Sequence, residues 1–190
     1  MRVLDVWCRT GNASRYISET CPGARYFGLE LAEELLWRAH HKYPQRDFVH
    51  GTMIHLPFAS TSFERIVSLE TLEHVPNPLQ FLQELRRVLQ PGGRLVLSTP
   101  PATAEWMTAL VDRLGMNHGE GPRRFLSSKE VKMLLAQAGF RLLLHRGTLL
   151  IPAGPRLLRR WGQEWLDEHV QGSFLAEFGI RQFYICEMAA

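Results

Sequence analysis

The sequence predicts an α/β fold with a mainly parallel sheet, and three observations carry that prediction. Apolar runs of strand length alternate with segments of helical period along the chain, which is the pattern of βα units. Leu79, Leu82, Leu85 and Leu89 recur at spacings of three and four, with Phe81 and Val88 beside them, so one helix carries a continuous apolar stripe. Ser127 and Glu130 stand in capping-box spacing ahead of Val131, Leu134, Leu135 and Ala138, and mark the start of another helix.

Taken in order, Arg2 to Val6 reads as a first strand, Tyr26 to Leu29 as a second, Phe48 and Val49 as a third, Ile66 to Leu69 as a fourth and Arg94 to Ser98 as a fifth. The leucine-striped helix ends at Pro91, Gly92 and Gly93. The capped helix stops at Gly139, and Phe140 to Leu144 follows as a sixth strand. Phe183 to Met188 is an apolar run suited to a seventh, whose direction the residues leave open. Pro100 to Arg124 and Pro152 to Gly179 mix Gly, Pro, Trp and Arg irregularly between these elements, and are the expected substrate lids.

A chain of 190 residues with 45% hydrophobic composition suits one domain, 1–190, with a substantial core. Lys and Arg number 22 against 19 Asp and Glu; a net charge of +3 does not point to nucleic acid. Cys8, Cys21 and Cys186 are odd in number and widely spaced, so neither a disulfide framework nor a zinc site is suggested. A cytoplasmic setting is expected. No apolar run approaches the roughly 20 residues that cross a bilayer, so stable membrane insertion is not expected. The chain starts almost directly with the first strand. An open pocket on that side, completed by a second copy or another chain, is therefore an expectation.

In open α/β sheets ligands bind beyond the carboxyl ends of the strands, which directs attention to the first strand-to-helix turn. It reads Val3-Leu4-Asp5-Val6-Trp7-Cys8-Arg9-Thr10-Gly11. Phe27-Gly28-Leu29-Glu30 ends the second strand on a carboxylate nineteen residues after Gly11. His50-Gly51-Thr52-Met53-Ile54-His55-Leu56-Pro57-Phe58 follows, then Glu70-Thr71-Leu72-Glu73-His74-Val75, and Leu89-Gln90-Pro91-Gly92-Gly93-Arg94-Leu95 precedes the fifth strand.

In this order and spacing the segments resemble class I S-adenosylmethionine-dependent methyltransferases, nearest in pattern to the small-molecule enzymes of ubiquinone and menaquinone biosynthesis. The resemblance covers about the first 100 residues. It implies a Rossmann-like sheet of seven strands in the order 3-2-1-4-5-7-6, the seventh antiparallel. It also implies S-adenosylmethionine as cofactor and methyl transfer to a small organic acceptor. Asp5, Gly11, Glu30, Leu31, Thr52, Met53 and Glu70 would surround the cofactor, with Glu30 on the ribose.

The sequence departs from the family's pattern at that site. Trp7 and Arg9 take the places of two motif glycines, where the backbone approaches the ligand and torsions that a side chain disfavours are needed. Thr52 stands where an aspartate usually meets adenine. Either Trp7 turns aside and Arg9 faces solvent or pairs with the cofactor carboxylate, or Trp7 fills the cleft and the domain serves as a non-catalytic binding or scaffold module. A different adenosine-containing or anionic ligand is a third reading. Methyl transfer from a sulfonium depends mostly on alignment and exclusion of water, so no catalytic residue is required. Glu70, Glu73 and His74 are the candidates for a base, and for His74 a locally hydrogen-bonded helix-start role is the alternative. His40, His41, His50 and His55 form no ligand cluster, and no metal is expected.

Arg156-Leu157-Leu158-Arg159-Arg160-Trp161-Gly162-Gln163-Glu164-Trp165-Leu166 mixes cations with Leu and Trp. It is expected to pack its leucines and tryptophans over the sheet as a lid helix, with an interfacial helix as the alternative. Arg123 and Arg124 read as lid charges.

Overall fold

The computed structural model describes residues 1–102, 105, 124–148, 155–169 and 181–189. Seven strands form one sheet: β1 (Arg2–Val6), β2 (Arg25–Glu30), β3 (Asp47–His50), β4 (Phe63–Leu69), β5 (Leu89–Thr99), β6 (Phe140–Thr148) and β7 (Arg181–Met188). Their order is β3-β2-β1-β4-β5-β7-β6. The strands β1 to β5 run parallel, and β7 lies antiparallel between β5 and β6. The carboxyl ends of β1, β2, β4 and β5 therefore share one edge, and the amino end of β7 meets it, with Thr99 opposite Gln182.

Helices α1 (Ala13–Thr20), α2 (Glu33–Lys42), α3 (Pro78–Val88), α4 (Ser128–Gln137) and α5 (Arg156–His169) connect the strands, with a 3-10 turn at Leu72–His74. Strand alternation divides the sheet into two faces. One carries the main core, in which Leu4, Ile66, Leu95, Leu97 and Tyr184 pack against Phe81, Leu85, Val131 and Leu135 of α3 and α4. The opposite face, here called outer, holds a smaller cluster of Cys8, Tyr26, Ala39 and Phe48 under α1 and α2.

The local signals act as expected at most boundaries. The Ser127 hydroxyl accepts from the Glu130 amide while the Glu130 carboxylate accepts from the Ser127 amide, satisfying two otherwise unpaired donors at the start of α4. Gly139 ends it at φ +81°, a torsion glycine adopts without steric cost. The strand β5 differs: α3 ends at Val88, and Pro91, Gly92 and Gly93 lie within β5 instead of between the two elements. Gly92 at φ +75° bends the strand there, and pairing with β4 jumps from Phe63–Leu89 to Arg65–Arg94.

One expectation is overturned. The apolar stripe of α5 does not cover the sheet: Leu157 is 82% and Trp161 61% exposed, with Leu158 and Trp165 also exposed. The helix lies beside β6, an edge strand, which offers a rim and not a face to bury against. Arg123, most of 100–124, and 152–154 and 170–179 lie outside the described residues, whereas the Arg124 amide donates to the Glu73 carbonyl at 2.8 Å. No helix among the described residues is long and apolar enough to cross a membrane.

Candidate active site at the carboxyl edge of the sheet

The loop after β1 determines the shape of this edge. Trp7 has φ +62°, Arg9 +56° and Gly11 +74°. All three glycine places of the motif therefore keep left-handed torsions, although two carry side chains for which that region costs about 1 kcal/mol or more. Gly11 tolerates no side chain on steric grounds either: an added Cβ would lie 2.7 Å from Phe48 Cζ. The Cys8 amide donates to the Leu29 carbonyl at 2.9 Å and joins the loop to β2.

Glu30, 1% exposed at the end of β2, receives three backbone N–H groups. Arg9 donates to Oε2 at 2.9 Å, and Leu31 and Ala32 donate to Oε1 at 3.0 and 2.9 Å. A carboxylate offers about four lone-pair positions, so one on Oε2 remains for a ligand hydroxyl. Leu31 is exposed, and its carbonyl lies 2.8 Å from His50 Nε2. Thr52 is exposed, its hydroxyl 3.4 Å from the His55 carbonyl, while Met53 packs partly into the main core.

Trp7, Arg9, Leu69 and Glu70 line a cleft of about 100 Å³ between the ends of β1 and β4. The Trp7 ring meets the His74 ring edge-on at 4.6 Å, and the Arg9 guanidinium lies 5.3 Å from the Trp7 centroid. The ring is thus held from two sides. Glu70, at φ +52°, accepts from the Ser98 hydroxyl at 2.7 Å and lies 3.9 Å from Arg181. Glu73 is buried within the 3-10 turn.

Asp5 lies beneath the loop and not among the residues lining the cleft. It is 4% exposed, and the Tyr26 hydroxyl donates to its Oδ2 at 2.7 Å. Burial raises its carboxyl from 3.8 to about 7, opposed by the Tyr26 hydrogen bond and reinforced by the nearby Glu30 charge. Burial likewise pushes the adjacent Cys8 thiol up. No motif signals the Asp5–Tyr26 bond, because it depends on the register that sets β1 beside β2.

Comparison with known proteins agrees with this frame. Residues 4–97 match the methyltransferase domain family. A phthiotriol/phenolphthiotriol dimycocerosates methyltransferase of Mycobacterium ulcerans is 32% identical, over 92% of this chain and 65% of its own length. A fatty-acid O-methyltransferase of Mycolicibacterium smegmatis is 28% identical, over 86% and 59%. A solved putative methyltransferase, in complex with the Trm112 activator of Haloferax volcanii, superposes with a TM-score of 0.73 at 18% identity, covering 100% of this chain and 83% of that one. Residues 4–97 thus carry the methyltransferase domain, within the Rossmann-like fold of class I S-adenosylmethionine-dependent methyltransferases. The chain spans about two thirds or less of the length of the two mycobacterial relatives.

The residues at the edge fit that cofactor in their backbone and in their charge. Three left-handed torsions keep the loop's shape, Glu30 retains an acceptor position, and Arg9 brings a cation. Small-ligand pockets span about 300–1,000 Å³, and the cleft of about 100 Å³ that Trp7 lines is smaller than that range.

Proposed function

We propose that this chain transfers a methyl group from S-adenosylmethionine to a small organic acceptor at the shared edge of β1 and β4. The observation that carries the reading is the retention of left-handed torsions at Trp7 and Arg9, because a loop released from ligand binding has no reason to keep a costly shape.

Bound there, the cofactor supplies an electrophilic methyl on a sulfonium. The remaining lone pair of Glu30 would accept from a ribose hydroxyl, and the Arg9 guanidinium would pair with the amino-acid carboxylate. Leu31, Thr52 and Met53 would border the base. Trp7, once turned, would form an apolar wall that excludes water from the reacting centre. Glu70, which lines the cleft, and His74, against the Trp7 ring, would be the candidates to take an acceptor proton, with the Ser98 hydroxyl hydrogen-bonded to Glu70. The Mycolicibacterium smegmatis relative is named for a fatty-acid acceptor, which supports a lipophilic acceptor. Free thiols at Cys8, Cys21 and Cys186 support a reducing compartment such as the cytoplasm.

Calorimetric titration with S-adenosylmethionine and S-adenosylhomocysteine tests the reading, on the natural chain and on a Trp7→Gly, Arg9→Gly double variant. Micromolar binding by the natural chain is expected, at least about tenfold stronger in the variant if the Trp7 ring obstructs. Absence of binding by both at millimolar ligand overturns it and favours the scaffold role.

A further inference from the structure

The aromatic face of Trp7 already holds a cation. The residue is half-buried at a left-handed torsion, φ +62°, and the Arg9 guanidinium lies 5.3 Å from its ring centroid. An indole face attracts a cation through its quadrupole, whether that cation belongs to the chain or to a ligand. Trp7 and Arg9 both line the cleft, so their contact borders the space a ligand enters. The walls of that space keep solvent access: Leu69 is 39% exposed and the Glu70 side chain 32%.

An indole face, a guanidinium and a carboxylate thus meet in one cleft. An α-amino acid that carries a second, permanent positive charge is complementary to all three. A cation contact at an exposed ring shifts an equilibrium by only about two- to fivefold, so a ligand carboxylate can draw the exposed Arg9 guanidinium from it. The face is then open to the second cation, where exclusion of water raises the contact to about thirtyfold.

We infer that the Trp7 face binds the sulfonium of S-adenosylmethionine by a cation–π contact and distinguishes it from S-adenosylhomocysteine, whose sulfur is uncharged. This inference rests on the methyl-transfer reading. In that reaction the bond from sulfur to the methyl carbon breaks with its electron pair left on sulfur. An acceptor lone pair forms the new bond to carbon, and the acceptor proton passes to a base. Sulfur loses its positive charge, and with it the attraction to Trp7. The side chain that stands in a glycine place thus favours the reactant over the product.

Calorimetric titration of the whole chain with S-adenosylmethionine, S-adenosylhomocysteine and sinefungin, which carries an ammonium in place of the sulfonium, tests this. The two charged ligands are expected to bind at least about fivefold more tightly than S-adenosylhomocysteine. Trp7→Leu keeps a side chain at the left-handed torsion and should bring the three affinities within about twofold, whereas Trp7→Phe should retain most of the spread. Circular dichroism melting checks that both variants fold, and the ratios on the natural chain decide by themselves if one does not. A ring that merely obstructs lowers all three affinities alike and leaves their ratios unchanged. Affinities on the natural chain that are equal or favour S-adenosylhomocysteine overturn the inference. So does sinefungin binding no better than S-adenosylhomocysteine, or a spread that survives Trp7→Leu. Each of these leaves the methyl-transfer reading standing, whereas binding of none of the three by the natural chain and by Trp7→Gly removes both.

Discussion

The backbone amide of Arg9 donates to the Glu30 carboxylate at 2.9 Å, fastening the loop after β1 to the end of β2 at the point where a ribose would sit. The same carboxylate holds the Leu31 and Ala32 amides, so it supports the cleft as well as facing it. Replacing Glu30 by Gln leaves one of these donors opposite an amide NH₂. A loss of about 1–3 kcal/mol is expected, together with at least a tenfold weaker affinity for S-adenosylhomocysteine. Thermal unfolding and calorimetry read the two effects separately; unchanged affinity would remove Glu30 from the cofactor site.

Two glycines with the same torsion separate strain from crowding. Gly11 has φ +74° and a Cβ there meets Phe48 Cζ at 2.7 Å, whereas Gly23 has φ +83° and open space. Gly23→Ala is expected to cost about 1–2 kcal/mol from the torsion alone. Gly11→Ala adds overpacking against Phe48 and should cost about 2–5 kcal/mol. Denaturant midpoints of the two variants measure the difference, and equal losses would mean that Phe48 yields without cost.

Asp5 gives the fold a pH dependence of unusual sign. Burial raises its carboxyl from 3.8 to about 7, so the folded chain holds this proton over a range in which the unfolded chain has released it. Its contribution is fully present below 3.8 and is lost progressively as pH rises to about 7. The gap sets an upper bound of roughly 4 kcal/mol. Asp5→Asn, whose carbonyl still accepts from Tyr26, should therefore gain stability relative to the natural chain as pH rises from 4 to 7.5. A constant difference between the two melting curves across that range would refute the assignment.

Much of the fold was legible because its signals are local. The capping box at Ser127 and Glu130 spans only four residues, and Arg2–Val6 is bounded as a strand as its short apolar run suggests. The demand for left-handed torsions at positions 7 and 9 was likewise readable from the motif's glycines, although Trp7 and Arg9 stand there. What pairing at a distance decides was not. The Trp7–His74 contact, the Asp5–Tyr26 bond and the attachment of Arg9 to Glu30 all join residues more than twenty positions apart. The exposure of Trp161 shows the other limit: helical period says that a stripe exists, not which surface meets it.

The placement of β7 sets an order of assembly during synthesis. Among the described residues β6 pairs only with β7, which follows it in the chain yet lies between it and β5. At ribosomal rates the intervening residues 149–180 take roughly 2–6 s to emerge. During that interval a nascent β6 has no hydrogen-bonding neighbour in its native position, and β5 presents an open edge with Val96 beside it. A ribosome pausing between these strands would hold the chain in its most aggregation-prone form, making codon speed over that stretch a determinant of yield.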